Sequence, residues 1–203
     1  MNDWFYGGWV LGAYLLGAVP FGLLMGWMFG SGDIRRQGSG NIGATNVLRT
    51  TGKIPALLAL LLDMAKGGVA VAAGLWWYGP VPWLTFWMAL AAFLGHLYPV
   101  YLGFSGGKGV ATALGIFLVW APLAGLLSLL TWLLVALTAK ISSLAALVAF
   151  IALPGYVYFL GNTEALLASL AIVPLVFWRH RANMVRLLQG TEPRIGKKVI
   201  NND

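Results

Sequence analysis

The chain has 203 residues, of which 60% are apolar types and only 9% are charged, with a mean hydropathy of +0.82 and a formal net charge of +7. Soluble domains carry about 25% charged residues, so the composition excludes a water-soluble enzyme and predicts an all-α, polytopic integral membrane protein. There is no cysteine, and two histidines and six acids leave little for a protein-only metal cage, so no disulfide, cysteine nucleophile or metal is expected.

A membrane-crossing helix needs about 20 apolar residues. The first apolar run, 7–29, is too long and too rich in Trp and Tyr for a cleaved signal peptide, and it lacks a basic n-region. Further runs follow at 55–78, 83–101, 110–139, 143–160 and 164–178. The run 110–139 would make a helix about 45 Å long against a hydrocarbon core of about 30 Å, and Pro122 interrupts it after Trp120. Divided into 109–120 and 122–139, the chain has seven spans.

Charge supports that division. With seven spans and an outside N-terminus, one side receives Arg35, Arg36, Arg49, Lys53, Lys108, Lys140 and the six cations from Arg179 to Lys198. Those are twelve of the thirteen cations, and the last, Lys66, lies within a span. Six spans would divide them seven against five. The positive-inside bias therefore predicts seven transmembrane helices and a cytoplasmic C-terminus. Trp4, Trp9, Trp76, Trp77, Tyr78, Trp83 and Trp120 then form an outer aromatic belt. The outer connections are short: Gly79-Pro80-Val81-Pro82, the turn near Pro122, and Gly161-Asn162-Thr163. Polar, Gly-rich sequence concentrates on the inner side at 30–54 and 102–109, followed by the basic tail, so residues 1–203 read as one membrane-embedded domain with its chemistry on the cytoplasmic face.

Three inner segments carry the candidate chemistry. Gly38-Ser39-Gly40-Asn41-Ile42-Gly43-Ala44-Thr45-Asn46 precedes Arg49. It contains a G-x-G-x-x-G, but no strand precedes the glycines and the acid twenty residues on, Asp63, lies in an apolar span, so a dinucleotide site is excluded. Successive glycines can form an anion nest, Ser39, Asn41, Thr45 and Asn46 add donors, and Arg49 offers a planar fork for phosphate. The alternative is a flexible connector with helix caps. The second segment, Ser105-Gly106-Gly107-Lys108-Gly109, is not a Walker A loop, since Leu102 stands where that motif has Gly and Gly109 where it has Ser or Thr. A lysine among glycines at a helix start still suits phosphate. His96 reads as a packed histidine. The third segment is Arg179-His180-Arg181-Ala182-Asn183, with His180 and Asn183 on one helix face and Arg181 and Arg186 suited to anionic lipid. Ser142 and Ser143 follow Lys140 on the same side and read as helix caps or site hydroxyls. Asp63 and Lys66, at i and i+3 within a span, read as a structural ion pair.

In these motifs and their order, the chain resembles the bacterial acyl-phosphate:glycerol-3-phosphate acyltransferase family of small seven-helix membrane enzymes. The resemblance rests on Gly38 to Asn46 with Arg49, Asp63…Lys66-Gly67, Gly95-His96…Pro99, Gly106 to Thr112, and Arg179-His180…Asn183…Arg186-Leu187…Gly190…Glu192. Ser105 departs from the family, which commonly has lysine there. The resemblance implies transfer of a fatty acyl group from acyl phosphate to the sn-1 hydroxyl of glycerol 3-phosphate, giving lysophosphatidic acid and inorganic phosphate, in the bacterial inner membrane. No cofactor, nucleic acid or obligate protein partner is implied; the partners are the two substrates and the lipid bilayer. It also implies that Ser39, Asn41, Arg49, Lys108, Ser143, His180 and Asn183 line the site. Ser39, Arg49, Lys108 and His180 are the expected catalytic residues. Gly38, Gly40, Asn41, Gly43, Thr45, Asn46, Gly106, Gly107, Gly109, Ser143 and Asn183 are the expected substrate-binding residues. The proton acceptor is either His180 or an oxygen of the acyl phosphate. An organophosphate transporter is the alternative from another class, but it calls for inverted repeats and polar groups near midplane, and no internal repeat is evident. The His-x4-Asp pair of acyl-CoA-dependent acyltransferases is missing.

Overall fold

The computed structural model describes residues 3–78 and 82–196, so the turn expected at Gly79-Pro80-Val81 and the cations Lys197 and Lys198 lie outside the described residues. The described chain is helical throughout: α1 (Asp3–Ala18), α2 (Phe21–Met28), α3 (Ala44–Thr50), α4 (Lys53–Tyr78), α5 (Pro82–Leu97), α6 (Val110–Trp120), α7 (Pro122–Ala139), α8 (Ser142–Phe159), α9 (Thr163–Arg179) and α10 (Arg181–Leu188), with short 3-10 turns at Ile34–Arg36 and Val100–Leu102. Five helical segments are long and apolar enough to cross a membrane, counting α1 with α2 as one. The pair α9–α10, bent by 60°, makes a sixth.

The long apolar run does break where proline dictates. Pro122 has no N–H to donate and suits a helix start, so α6 ends at Trp120 and α7 begins at Pro122. The two helices fold back as a hairpin so tight that a Cβ on Gly125 would strike the backbone of Phe117 and Leu118. With eleven residues, α6 is only about 16 Å long and falls short of a full crossing. Asn162, the N-cap of α9, ties this hairpin to the next: its Oδ1 accepts from Ala165 N at 2.9 Å and its Nδ2 donates to the Trp120 carbonyl at 3.1 Å.

A second break was not anticipated in the run 7–29. Pro20 separates α1 from α2, and this break is completed by an ion pair. Lys66 Nζ lies 2.7 Å from Asp63 Oδ1 and donates to the Val19 carbonyl at 2.8 Å. Both side chains are almost wholly buried. Backbone polar groups at a helix break need partners in hydrocarbon; the Val19 carbonyl accepts from Phe21 N at 3.1 Å and from Lys66, whose charge Asp63 neutralises.

Helix pairs close on small residues, as membrane packing favours. Gly17 and Gly95 let α1 and α5 meet backbone to backbone, and Gly67 and Gly115 do the same for α4 and α6. The largest buried side chains, Phe93, Phe117 and Phe150, lie in the core shared by α5, α6, α8 and α9.

Candidate active site

Opposite the end at which Asn162 grips Trp120, the polar connections converge on one cavity of about 660 Å³. The segment 30–43 reaches it as a folded loop. Asp33 Oδ1 accepts from Arg35 N at 3.0 Å and the two side chains form a bidentate pair, which holds the Asp33 carboxyl down to about 2. Asn46, buried on α3, is the hub of the loop. Its Oδ1 accepts from Ser39 N at 2.8 Å, and its Nδ2 donates to the carbonyls of Ile34 at 2.9 Å and Gln37 at 3.2 Å. Gly38 has φ +56°, and a Cβ there would run into Asn46 Oδ1, so only glycine fits. Asn46 and Thr45 belong to a helix absent from the sequence reading of 30–54, and Asn46 spends its polar atoms on the loop.

Arg49, one turn further along α3, is half-buried. Its Nη2 donates to the Pro193 carbonyl at 3.3 Å, while its buried Nε has no hydrogen-bond partner among the described residues. Thr45 Oγ1 and Ser142 Oγ lie 2.9 Å apart, bridging α3 to α8. Lys108 enters from the loop before α6, which Gly109 starts with φ +83°, and its Nζ donates to Asn183 Oδ1. The Lys108 pKa is lowered to about 8, mainly by burial; Glu192 opposes the shift, and Arg186, Arg49 and Arg179 add to it. His180 stands at the bend between α9 and α10. Its Nδ1 lies 2.8 Å from the Val176 carbonyl, an acceptor only, so Nδ1 donates and Nε2 is left as the acceptor nitrogen.

The cavity is lined by Gly38, Ser39, Asn41, Gly43, Thr45, Asn46, Arg49, Lys108, Gly109, Ser143, His180 and Asn183 among the residues expected from sequence. Gly40, Gly106 and Gly107 stand outside it. Part of the nest is spent on the fold, since the N–H groups of Ser39, Gly40, Gly106 and Gly107 already donate to Asn46, Gln37, Leu97 and His96. Arg179 holds the Gly106 and Gly107 carbonyls at 2.6 and 3.0 Å.

Among the cavity residues given no site role from sequence are Arg186 and Glu192, both of which belong to the motifs that carry the resemblance. Arg186, expected on lipid, turns instead to Glu192, donating from Nε to Oε2 at 2.7 Å; its neighbour Arg181 is exposed and stacks on Trp178. Glu192 accepts in addition from Ser143 Oγ at 2.7 Å and from Asn183 Nδ2. Burial works against its charge, but these hydrogen bonds hold its pKa below the ordinary carboxylate value. The available signal was that Glu192 is the lone acid between Arg179 and Lys198. Away from this polar rim the walls are mostly apolar, with Leu57, Leu60 and Met64 on α4, Leu114 on α6, and Leu129, Trp132 and Leu133 on α7, interrupted by Asp63 and His96. Leu57 and Leu133, both exposed, line this apolar part of the cavity.

A cation-rich cavity with largely apolar walls, at one end of an apolar helical bundle, defines a membrane-embedded protein with a site suited to an anionic amphiphile. The glycerol-3-phosphate acyltransferase family model matches residues 8–190. The chain is 53% identical over 197 residues to the glycerol-3-phosphate acyltransferase of Thioalkalivibrio sulfidiphilus, covering 95% of each chain. To that of Paramagnetospirillum magneticum it is 52% identical, covering 93% of this chain and 92% of the other. Its fold matches crystal structures of PlsY, an integral membrane glycerol 3-phosphate acyltransferase. The glycerol 3-phosphate form has a TM-score of 0.90 at 40% identity, covering 94% of this chain and 96% of that one. The lysophosphatidic acid form has a TM-score of 0.87 at 39% identity, covering 94% and 95%. The chain belongs to the glycerol-3-phosphate acyltransferase family.

Proposed function

We propose that this acyltransferase takes its acyl group from acyl phosphate and delivers it to the sn-1 hydroxyl of glycerol 3-phosphate. The observation that carries the reading is the meeting of Arg49, Lys108, Ser143, His180 and Asn183, from widely separated segments, above an apolar cleft. Two phosphates find two cations there, and a fatty chain finds leucines beneath them. The hydroxyl oxygen attacks the acyl carbonyl carbon, the bond from that carbon to the bridging phosphate oxygen breaks, and phosphate leaves with the electron pair. Lys108 and Arg49 stabilise the departing charge. The chain has no cysteine, and acyl phosphate is already activated, so direct transfer needs no acyl-enzyme. Holding both substrates together removes about 7–11 kcal/mol of barrier. Ser39, Asn41 and the Gly38–Gly43 bends position the carbonyl and the glycerol phosphate.

The hydroxyl proton passes to an oxygen of the acyl phosphate, with His180 and Asn183 orienting the glycerol. His180→Gln is then expected to keep most of kcat while raising KM for glycerol 3-phosphate about tenfold. Loss of kcat with unchanged substrate binding would assign the proton to the imidazole instead.

The chain makes seven passes if the short α6 is counted as one, and two features support an outside N-terminus and an inner-membrane site open to the cytoplasm. Trp120 and Asn162 meet at one end of the bundle and the cations gather at the other. The experiment that tests the donor is an assay of purified protein with glycerol 3-phosphate and either acyl phosphate or acyl-CoA. Lysophosphatidic acid and inorganic phosphate are expected from the first donor alone, and activity with acyl-CoA alone overturns the assignment.

A further inference from the structure

The wall of the same cavity includes a buried polar cluster, Asp63 and His96, that the reaction scheme does not use. His96, near the end of α5, is 4% exposed, and its Nδ1 faces Asp63 Oδ1 at 3.6 Å. The other side of the ring rests against Gly107, so closely that a Cβ on Gly107 would fall within the imidazole. The backbone of the same residues is stitched together: Gly107 N donates to the His96 carbonyl at 3.0 Å and Gly106 N to the Leu97 carbonyl at 3.1 Å. From above, Arg179 clamps the carbonyls of both glycines. Asp63 cannot move freely, because Lys66 holds it while anchored to the Val19 carbonyl at the α1–α2 break.

We propose that His96, propped by the Asp63–Lys66 pair, is a positioning residue that sets the height of the Gly107–Lys108 peptide and so places the Lys108 ammonium over the cavity. The proposal rests on the reading of Lys108 as a phosphate grip. The imidazole acts as a shim between a fixed carboxylate and the main chain: the absence of a Cβ at Gly107 lets the loop sit directly on the ring, and its absence at Gly106 lets the main chain approach the His96 and Leu97 carbonyls. A displacement of about 1 Å at such a group can cost about 100-fold in rate.

The test is a double-mutant cycle on kcat and KM for glycerol 3-phosphate, with unfolding temperature in detergent as the folding control. Gly107→Ala is expected to lower kcat/KM about 100-fold, because its Cβ displaces the loop. His96→Ala is expected to lower it about tenfold, chiefly through KM, at a near-native unfolding temperature. In the His96→Ala background, adding Gly107→Ala is expected to cost little, because the ring it struck is gone. If His96→Ala fails to fold, His96→Asn takes its place in the cycle. Equal Gly107→Ala penalties in both backgrounds, or an unchanged KM in the His96 variant, overturn the role of His96. A fully active Lys108→Ala enzyme instead overturns the phosphate-grip reading.

Discussion

Lys108→Ala is expected to lower kcat/KM by about 10³-fold, with the unfolding temperature in detergent close to that of the unmodified protein. Removing one preorganised group that meets developing charge costs about 10²–10³-fold, and in the proposed reaction Lys108 also grips a substrate phosphate, so the two losses combine. The loop itself should survive, because it is held by main-chain bonds to His96 and Leu97 and by Arg179, none of which uses the lysine side chain. The same residue sets a pH limit. With burial pushing its pKa down to about 8, Lys108 is charged below that value and loses its charge above it. On the alkaline side kcat/KM, which reports the free enzyme, should fall about tenfold per pH unit. Lys108→Arg should move that limb to higher pH, since guanidinium stays charged there. A flat profile from pH 7 to 10 together with a fully active alanine variant removes Lys108 from the site.

Much of the bundle was legible because its punctuation is local. Pro122 in an overlong apolar run left one place for the α6–α7 turn, and charge asymmetry sorted the connections to one side or the other. Pro20 was equally local, yet it was passed over, because the run 7–29 has a natural length for one span and gave no reason to divide it. The sequence did suggest the Asp63–Lys66 pair from its spacing, but its link to the Val19 carbonyl depends on how α4 meets the α1–α2 break. Asn46 illustrates a different limit. As a residue type it reads equally as a ligand or as a loop brace, and only the positions of Ser39 N and the Ile34 and Gln37 carbonyls show what its amide does. Charge sign misled the reading of the tail. A run of arginines near lipid suggested that Arg181 and Arg186 act alike, whereas a single acid six residues after Arg186 separates them.

That acid carries the second large effect. Glu192→Ala is expected to lower kcat/KM about 10²-fold and to reduce thermal stability as well. One carboxylate accepts from Ser143 Oγ, Asn183 Nδ2 and Arg186 Nε, and Asn183 in turn accepts from Lys108. Hydrogen bonds to charged groups contribute about 1.5–3 kcal/mol each. Without the carboxylate, Arg186 is left unpaired and Asn183 is free to rotate its oxygen away from Lys108. Arg49 also depends on the tail, since it donates to the carbonyl of Pro193, and the Ile195 N–H bond to the Lys140 carbonyl at 2.7 Å ties the same segment to the α7–α8 connection. Glu192→Gln separates the contributions. Its amide oxygen can still accept from Ser143 and Asn183, but its NH₂ group faces the Arg186 guanidinium without attraction, so the loss should be smaller, about tenfold, and lie mainly in KM. Equal losses in the two variants would mean that the charge on Glu192, rather than its acceptor geometry, governs the site. Wild-type kinetics and stability in Glu192→Ala would detach the tail from catalysis altogether.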